Sequence, residues 1–175
     1  TGYNQQKILN GVTEFGTKWK LLTNFSGGLL APIKIFSIIM HIQFIDTPKP
    51  IGNFANVRFS GKYAYISGQG AFDDSGKLIT GKVGKDFSLE EAYDAARRVG
   101  VTILSVIKND IGFEKVQKVV KILGLVNCTE DFLLHPKVIN GCSDLFVEYF
   151  GKEKGTHARS AMGVYVLPNN IPVEI

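Results

Sequence analysis

His157-Ala-Arg-Ser-Ala-Met-Gly-Val-Tyr-Val-Leu-Pro-Asn-Asn-Ile-Pro-Val-Glu-Ile175 closes the chain and reads as a strand, a turn and a second strand. Period-two alternation puts Met162, Val164 and Val166 on one face with Ser160, and Ala161, Gly163, Tyr165 and Leu167 on the other with Arg159. Pro168-Asn169-Asn170 supplies the turn chemistry. Paired as a hairpin, the two strands would bring Arg159 and Glu174 into one neighbourhood, a small polar site at the edge of an apolar sheet.

Upstream, the chain reads as strand, strand, helix, strand, helix. Residues 54–59 and 63–67 are two strands joined by a tight turn at Ser60-Gly61-Lys62. Ser88-Leu-Glu-Glu91 is a capping box. It opens an amphipathic helix that buries Leu89, Ala92, Ala96, Val99, Ile103 and Ile107 and exits at Gly112. Residues 116–127 are β-rich and apolar, as a strand in the middle of a sheet must be. Pro136 suits the first turn of a second helix, 137–150, which packs through Val138, Leu145, Phe146, Tyr149 and Phe150 and ends at Gly151. Lys152 to Gly155 reads as a charged loop. The pattern is α+β: a mixed or antiparallel sheet with both helices on one face.

Residues 1–46 do not fit that scheme. Thr1 to Gly28 shows no sustained period, and residues 33–45 form an apolar run interrupted by Lys34 and His41. That run is shorter than the ~20 residues of a membrane-spanning helix. It reads as an extra strand or helix packed on the domain or on a neighbouring subunit, with organelle targeting as the alternative. Asp46-Thr-Pro-Lys-Pro50 is a linker, so the expected division is an extension, 1–46, and a domain, 47–175.

The totals narrow the function classes. With 175 residues the chain is long enough for one self-sufficient core. Cys128 and Cys142 lack the paired spacing of zinc or redox motifs and read as reduced, half-buried thiols of a cytoplasmic protein. The net charge is +4, but the lysines are spread along the chain rather than gathered in a stripe, so nucleic acid is not the expected partner. Gly68-Gln69-Gly70 lacks the third glycine and following helix of a dinucleotide fingerprint, and Asp73-Asp74 has no metal-ligand partner nearby. No metal or cofactor is expected.

Ala158-Arg-Ser-Ala161, the Leu167-Pro168 pair and Val173-Glu-Ile175 together resemble the C-terminal signature of the RidA/YjgF family of imine deaminases. Gly52-Asn-Phe54, before a hairpin ending Ile66-Ser-Gly-Gln69, is similar to that family's N-terminal signature. The resemblance implies a chorismate-mutase-like fold, a homotrimer whose sheets face a barrel-like interior, and ligand clefts between subunits. It implies that Arg159 anchors a substrate carboxylate and that Glu174 orders the attacking water or moves protons. Ser67, Gly68, Phe54 and Asn140 would line the cleft. Where the better-characterised deaminases carry Cys and Tyr, this chain has Ala161 and Phe54, which leaves a more apolar cleft and suggests a divergent branch.

The activity so implied is cofactor-free hydrolysis of reactive enamine and imine intermediates, of the 2-aminoacrylate type, to a 2-oxo acid and ammonia. A non-catalytic trimer that binds small carboxylates is the alternative from another class. An endoribonuclease, a label the family also carries, is the third.

Overall fold

The computed structural model describes residues 42–175. The unstructured reading of residues 1–28 and most of the apolar run at 33–45 lie outside them. The elements are β1 (Val57–Ser60), β2 (Tyr63–Ile66), α1 (Leu89–Val106), β3 (Lys121–Asn127), α2 (His135–Phe150), β4 (Ala158–Val164) and β5 (Val173–Glu174).

β1 and β2 form the expected hairpin, with Gly61 at φ 55° in its turn, where a side chain would be strained. β3 pairs parallel with β4 and antiparallel with β5. The two groups of strands join where Gln69 and Ile175 exchange backbone hydrogen bonds of 2.9 and 3.2 Å. The three-stranded sheet, in the order β4-β3-β5, is mixed, and this exchange sets the β1-β2 hairpin beside its β5 edge. The β3–α2–β4 connection is a helical crossover, which a parallel pair requires.

This arrangement corrects the hairpin expected at the C-terminus. The two closing strands do not pair with each other, because β3 lies between them. Their turn is as expected: residues Pro168–Asn170 make a single 3-10 turn in which Asn169 and Asn170 adopt φ of 53° and 54°. The buried Asn127 amide pins it through Nδ2, which donates to Asn170 Oδ1 at 2.9 Å and to the Ile171 carbonyl at 3.1 Å. The charged loop after α2 is a single helical turn, Lys152–Gly155.

Both helices pack on one face of the sheet. α1 starts at the capping box: Ser88 Oγ accepts from the Glu91 amide at 3.2 Å, and the Ser88 amide donates to the Glu91 carboxylate at 2.8 Å. Its first half buries the expected stripe, whereas everything from Thr102 to Val106 is buried. The extra burial comes from the segment before the linker. Ile42 and Phe44 pack against the core, the Ile45 amide donates to Ser105 Oγ at 3.1 Å, and Asn109 Nδ2 donates to Thr47 Oγ1 at 2.9 Å. The helices meet closely because Gly100 faces Leu145 and Cys142 while Gly141 sits against the backbone of Tyr93 and Arg97.

Along β3, Ile122, Gly124 and Val126 are buried under α2, while Lys121 and Leu123 face away and are exposed. Among the described residues nothing covers that second face, where Leu123 and Met162 are 49% and 48% exposed.

Candidate functional site

The residues singled out in the sequence fall into two groups, and strand register explains why. Arg159 pairs with Ile122, whose side chain points to the helices, so Arg159 lies on the α2 side of the sheet. Glu174 pairs with Leu125 and shares the opposite, open face. A strand spacing of ~4.8 Å and a rise of ~3.3 Å per residue put their Cα atoms about 14 Å apart. Within one protomer they therefore do not share a neighbourhood, contrary to the expectation of a hairpin.

The first group is built by a helix laid over a strand. Asn140 and Ser143, one helical turn apart, face β4, while His157 and Arg159 alternate onto the same side of their strand. Arg159 Nη1 donates to Asn140 Oδ1 at 2.7 Å and to Ser143 Oγ at 3.1 Å. Those two bonds use both of its N–H groups. The guanidinium is half-buried, and among the described residues it has no carboxylate partner and nothing bonded to Nε–H or Nη2. What remains is one flat edge of two parallel donors, the geometry that grips a carboxylate or phosphate side-on.

Behind Arg159 the contacts continue. His157 Nε2 lies 3.1 Å from Ser143 Oγ, and His157 Nδ1 lies 2.6 Å from the Gly155 carbonyl. Beneath it, burial pushes the Cys142 thiol up to about 12, although the charge of Arg159 opposes the shift. Asn140 also lines an open cleft of about 510 Å³ with Leu89, Glu90, Tyr93, Asp94 and Lys137. Its Nδ2 has no partner among the described residues.

The second group lies at the β2–β5 junction. Gly68 is exposed, and any Cβ there would collide with the Glu174 carboxylate, so the glycine is what lets that acid sit against the strand end. Burial raises the Glu174 carboxyl above its ordinary range. Ser67 is less available than expected, since its hydroxyl donates to the Ala55 carbonyl at 2.7 Å and keeps only lone pairs for a ligand. Phe54 is half exposed and packs on Gly52.

Ser143, His135 and His157 are not among the candidate site residues read from the sequence. The structure places His157 in the Arg159 cluster, and it sets Cys128 Sγ 3.3 Å from His135 Nε2. Both cysteines are free and buried, and burial raises the Cys128 thiol as well. Among the described residues no group of three or more His, Cys, Asp or Glu could hold a metal ion, and no helix is long and apolar enough to cross a membrane.

A mixed sheet backed by two helices, with a guanidinium on its outer strand and a half-buried carboxyl on the face away from the helices, defines an α+β protein of the chorismate-mutase-like class. Residues 38–173 match the family described as "YjgF/chorismate_mutase-like, putative endoribonuclease", and the chain belongs to that YjgF/RidA family. Protein TCP17 of Trypanosoma cruzi is 35% identical over 127 residues, which is 72% of this chain and 79% of that protein. Among solved structures, Atu1372 from Agrobacterium tumefaciens, a protein of unknown function, is 33% identical with a TM-score of 0.71, over 82% of this chain and 90% of that one. A "putative endoribonuclease" from Shewanella oneidensis is 26% identical with a TM-score of 0.75, over 81% of this chain and 95% of that one.

Proposed function

We propose that the protein is a cofactor-free deaminase. It hydrolyses small enamine and imine carboxylates of the 2-aminoacrylate/2-iminopropanoate type to 2-oxo acids and ammonia, in clefts between the subunits of a homotrimer. One observation carries the reading: Arg159 is half-buried, held from behind, and among the described residues has no carboxylate partner and nothing bonded to its second pair of parallel donors.

The substrate brings its own electrophile, so the protein has little chemistry to supply. Arg159 takes the carboxylate, and Asn140 Nδ2 and the exposed Gly68 backbone offer further donors. Water adds to the C=N carbon as Glu174 accepts one of its protons. The nitrogen takes up that proton, and the carbinolamine collapses to the 2-oxo acid and ammonia. A carboxyl whose pKa burial raises is matched to such two-way transfer. The substrate spans a few ångströms, far less than the separation of Arg159 and Glu174 within one chain. The reading therefore requires Arg159 of one copy to meet Glu174 of another.

The alternative, a trimer that binds small carboxylates without turning them over, is favoured by the apolar Ala161 and Phe54, which contribute no polar group to the cleft. An assay coupled to threonine dehydratase separates the readings by following 2-oxo acid release. Acceleration that is lost in Arg159→Ala supports the deaminase. Carboxylate binding without acceleration supports the sensor, and RNA cleavage that persists in Arg159→Ala would overturn both.

A further inference from the structure

We propose that Ser143 and His157 are positioning residues that commit Arg159 to side-on capture of a carboxylate. The inference rests on the reading of Arg159 as the anchor and adds to it how that anchor is aimed. For a neutral imidazole at His157 the bonding pattern has one self-consistent assignment. A carbonyl can only accept, so the 2.6 Å contact to Gly155 requires a proton on His157 Nδ1. In the neutral imidazole Nε2 is then an acceptor, and the Ser143 hydroxyl donates to it across 3.1 Å. With its proton committed, Ser143 Oγ turns lone pairs outward, and one receives Arg159 Nη1. Asn140 Oδ1 takes the other Nη1 proton.

The consequence is geometric. A guanidinium can present two flat edges to an anion, one made of Nη1 and Nη2 and one of Nη2 and Nε. Occupying both protons of Nη1 removes the first. The second is left, and the plane of the group is fixed by two bonds to a helix. An Arg held this way loses little rotamer freedom when it binds, and it imposes one orientation on a two-oxygen acid. The backing also suits a cation, because lone pairs rather than N–H groups face Nη1. The Gly155 carbonyl at the far end anchors the chain of bonds to backbone, and Gly155 is itself buried against the Phe146 and Val147 backbone.

The test uses the full chain, with 2-oxobutanoate as the carboxylate probe and its methyl ester as the uncharged control, both titrated calorimetrically. Ser143→Ala and His157→Phe are each expected to weaken 2-oxobutanoate about tenfold and to leave the ester unchanged, the loss expected of one hydrogen bond to a charged group. His157→Gln, which keeps an acceptor near the Nε2 position, should recover most of the affinity. The Ser143→Ala/His157→Phe double variant should be no weaker than either single one, because both break the same chain of bonds. Nitrogen-15 spectra of the unliganded protein should show the Nδ1–H tautomer at His157, and that readout needs no ligand. An Nε2–H tautomer, or variants that bind like the wild type while Arg159→Ala does not, would overturn the positioning role alone. If Arg159→Ala itself retains binding, the anchor reading falls and this role falls with it.

Discussion

At the scale of single residues, the proposed reaction turns on a guanidinium and a carboxyl whose environments differ. Arg159→Lys keeps the charge but loses the planar fork, so the apparent affinity for a carboxylate substrate should drop about 10- to 100-fold, read as a raised KM with kcat less affected. In the proposed reaction Glu174 should carry the pH dependence. Burial raises its folded-state pKa, so on lowering the pH it gains its proton earlier than an ordinary glutamate, and the rate should fall through that raised value. Glu174→Gln should abolish that acid limb and slow turnover by about 10²-fold. Linkage adds a second expectation. The stability associated with a raised carboxyl is present below its unfolded pKa and is lost as pH rises through the folded one. At neutral pH the wild type thus bears the cost of a half-buried charge. Glu174→Gln should melt higher than the wild type there, with the difference fading toward acid pH; a variant that melts lower at neutral pH would show that the carboxylate is better solvated than its burial suggests. Both residues stand out in the sequence through the motifs that hold them. The motifs do not disclose that they face opposite sides of the sheet, because that parity depends on which strand lies between them. The partners of Arg159 were within reach of pattern reading: Asn140-x-x-Ser143 and His157-x-Arg159 each put two polar groups on one face, at helical and strand spacing respectively.

At the scale of elements, what was legible is what local physics decides. The capping box, Pro136 near the start of α2 and the glycine exits are all set by residues within a turn or two of where they act, whereas the strand expected over residues 116–127 begins only at Lys121 and is buried on one face, with Leu123 exposed on the other. Pairing is a non-local choice, and the hairpin expected at the C-terminus failed for that reason: alternation defines a strand's faces but not its neighbour. Tertiary packing also explains why α1 is buried on more sides than its stripe predicts. The closeness of the two helices rests on Gly141, whose missing side chain is replaced by the Tyr93 carbonyl and the Arg97 amide. Two effects oppose each other in Gly141→Ala. Helix propensity favours Ala by about 1 kcal/mol, while forcing a methyl group into backbone on the facing helix costs about 3 kcal/mol, since neither side can move without shifting a whole element. The net loss of about 2 kcal/mol should lower the melting temperature by roughly 4 to 8 °C. A rise instead would mean that the helices can separate freely. The Arg97–Glu148 pair crosses the same seam at 2.6 Å but is about one-third exposed on both sides, so its removal should matter less.

At the scale of the whole molecule, the helices cover one face of the sheet and, among the described residues, nothing covers the other, with Leu123 and Met162 half exposed beside Glu174, and Phe59, Tyr63 and Tyr65 exposed on the hairpin. A sheet containing a parallel pair is ordinarily covered on both faces, and apolar patches on monomers are ordinarily small. The family is typically trimeric, and copies of this chain meeting through their open faces would satisfy both rules. They would also bring each Glu174 toward a neighbour, which the separation of Arg159 and Glu174 within one protomer makes necessary for catalysis. Assembly and activity should therefore be lost together. Leu123→Asp places a carboxylate on the open face without touching the helix-covered core, so the protomer should keep its helical circular dichroism. Sedimentation should then report monomers for the variant and trimers for the wild type, and 2-oxo acid release should fall to the level of Arg159→Ala. Mixing folded but inactive Arg159→Ala with the folded, strongly slowed Glu174→Gln makes the same point without disrupting the interface. Once subunits exchange, some clefts receive both native residues, and activity should reappear at a fraction of the wild-type rate. A mixture that stays silent after demonstrated exchange would place both groups within one chain's own site, and the intersubunit cleft would have to be abandoned.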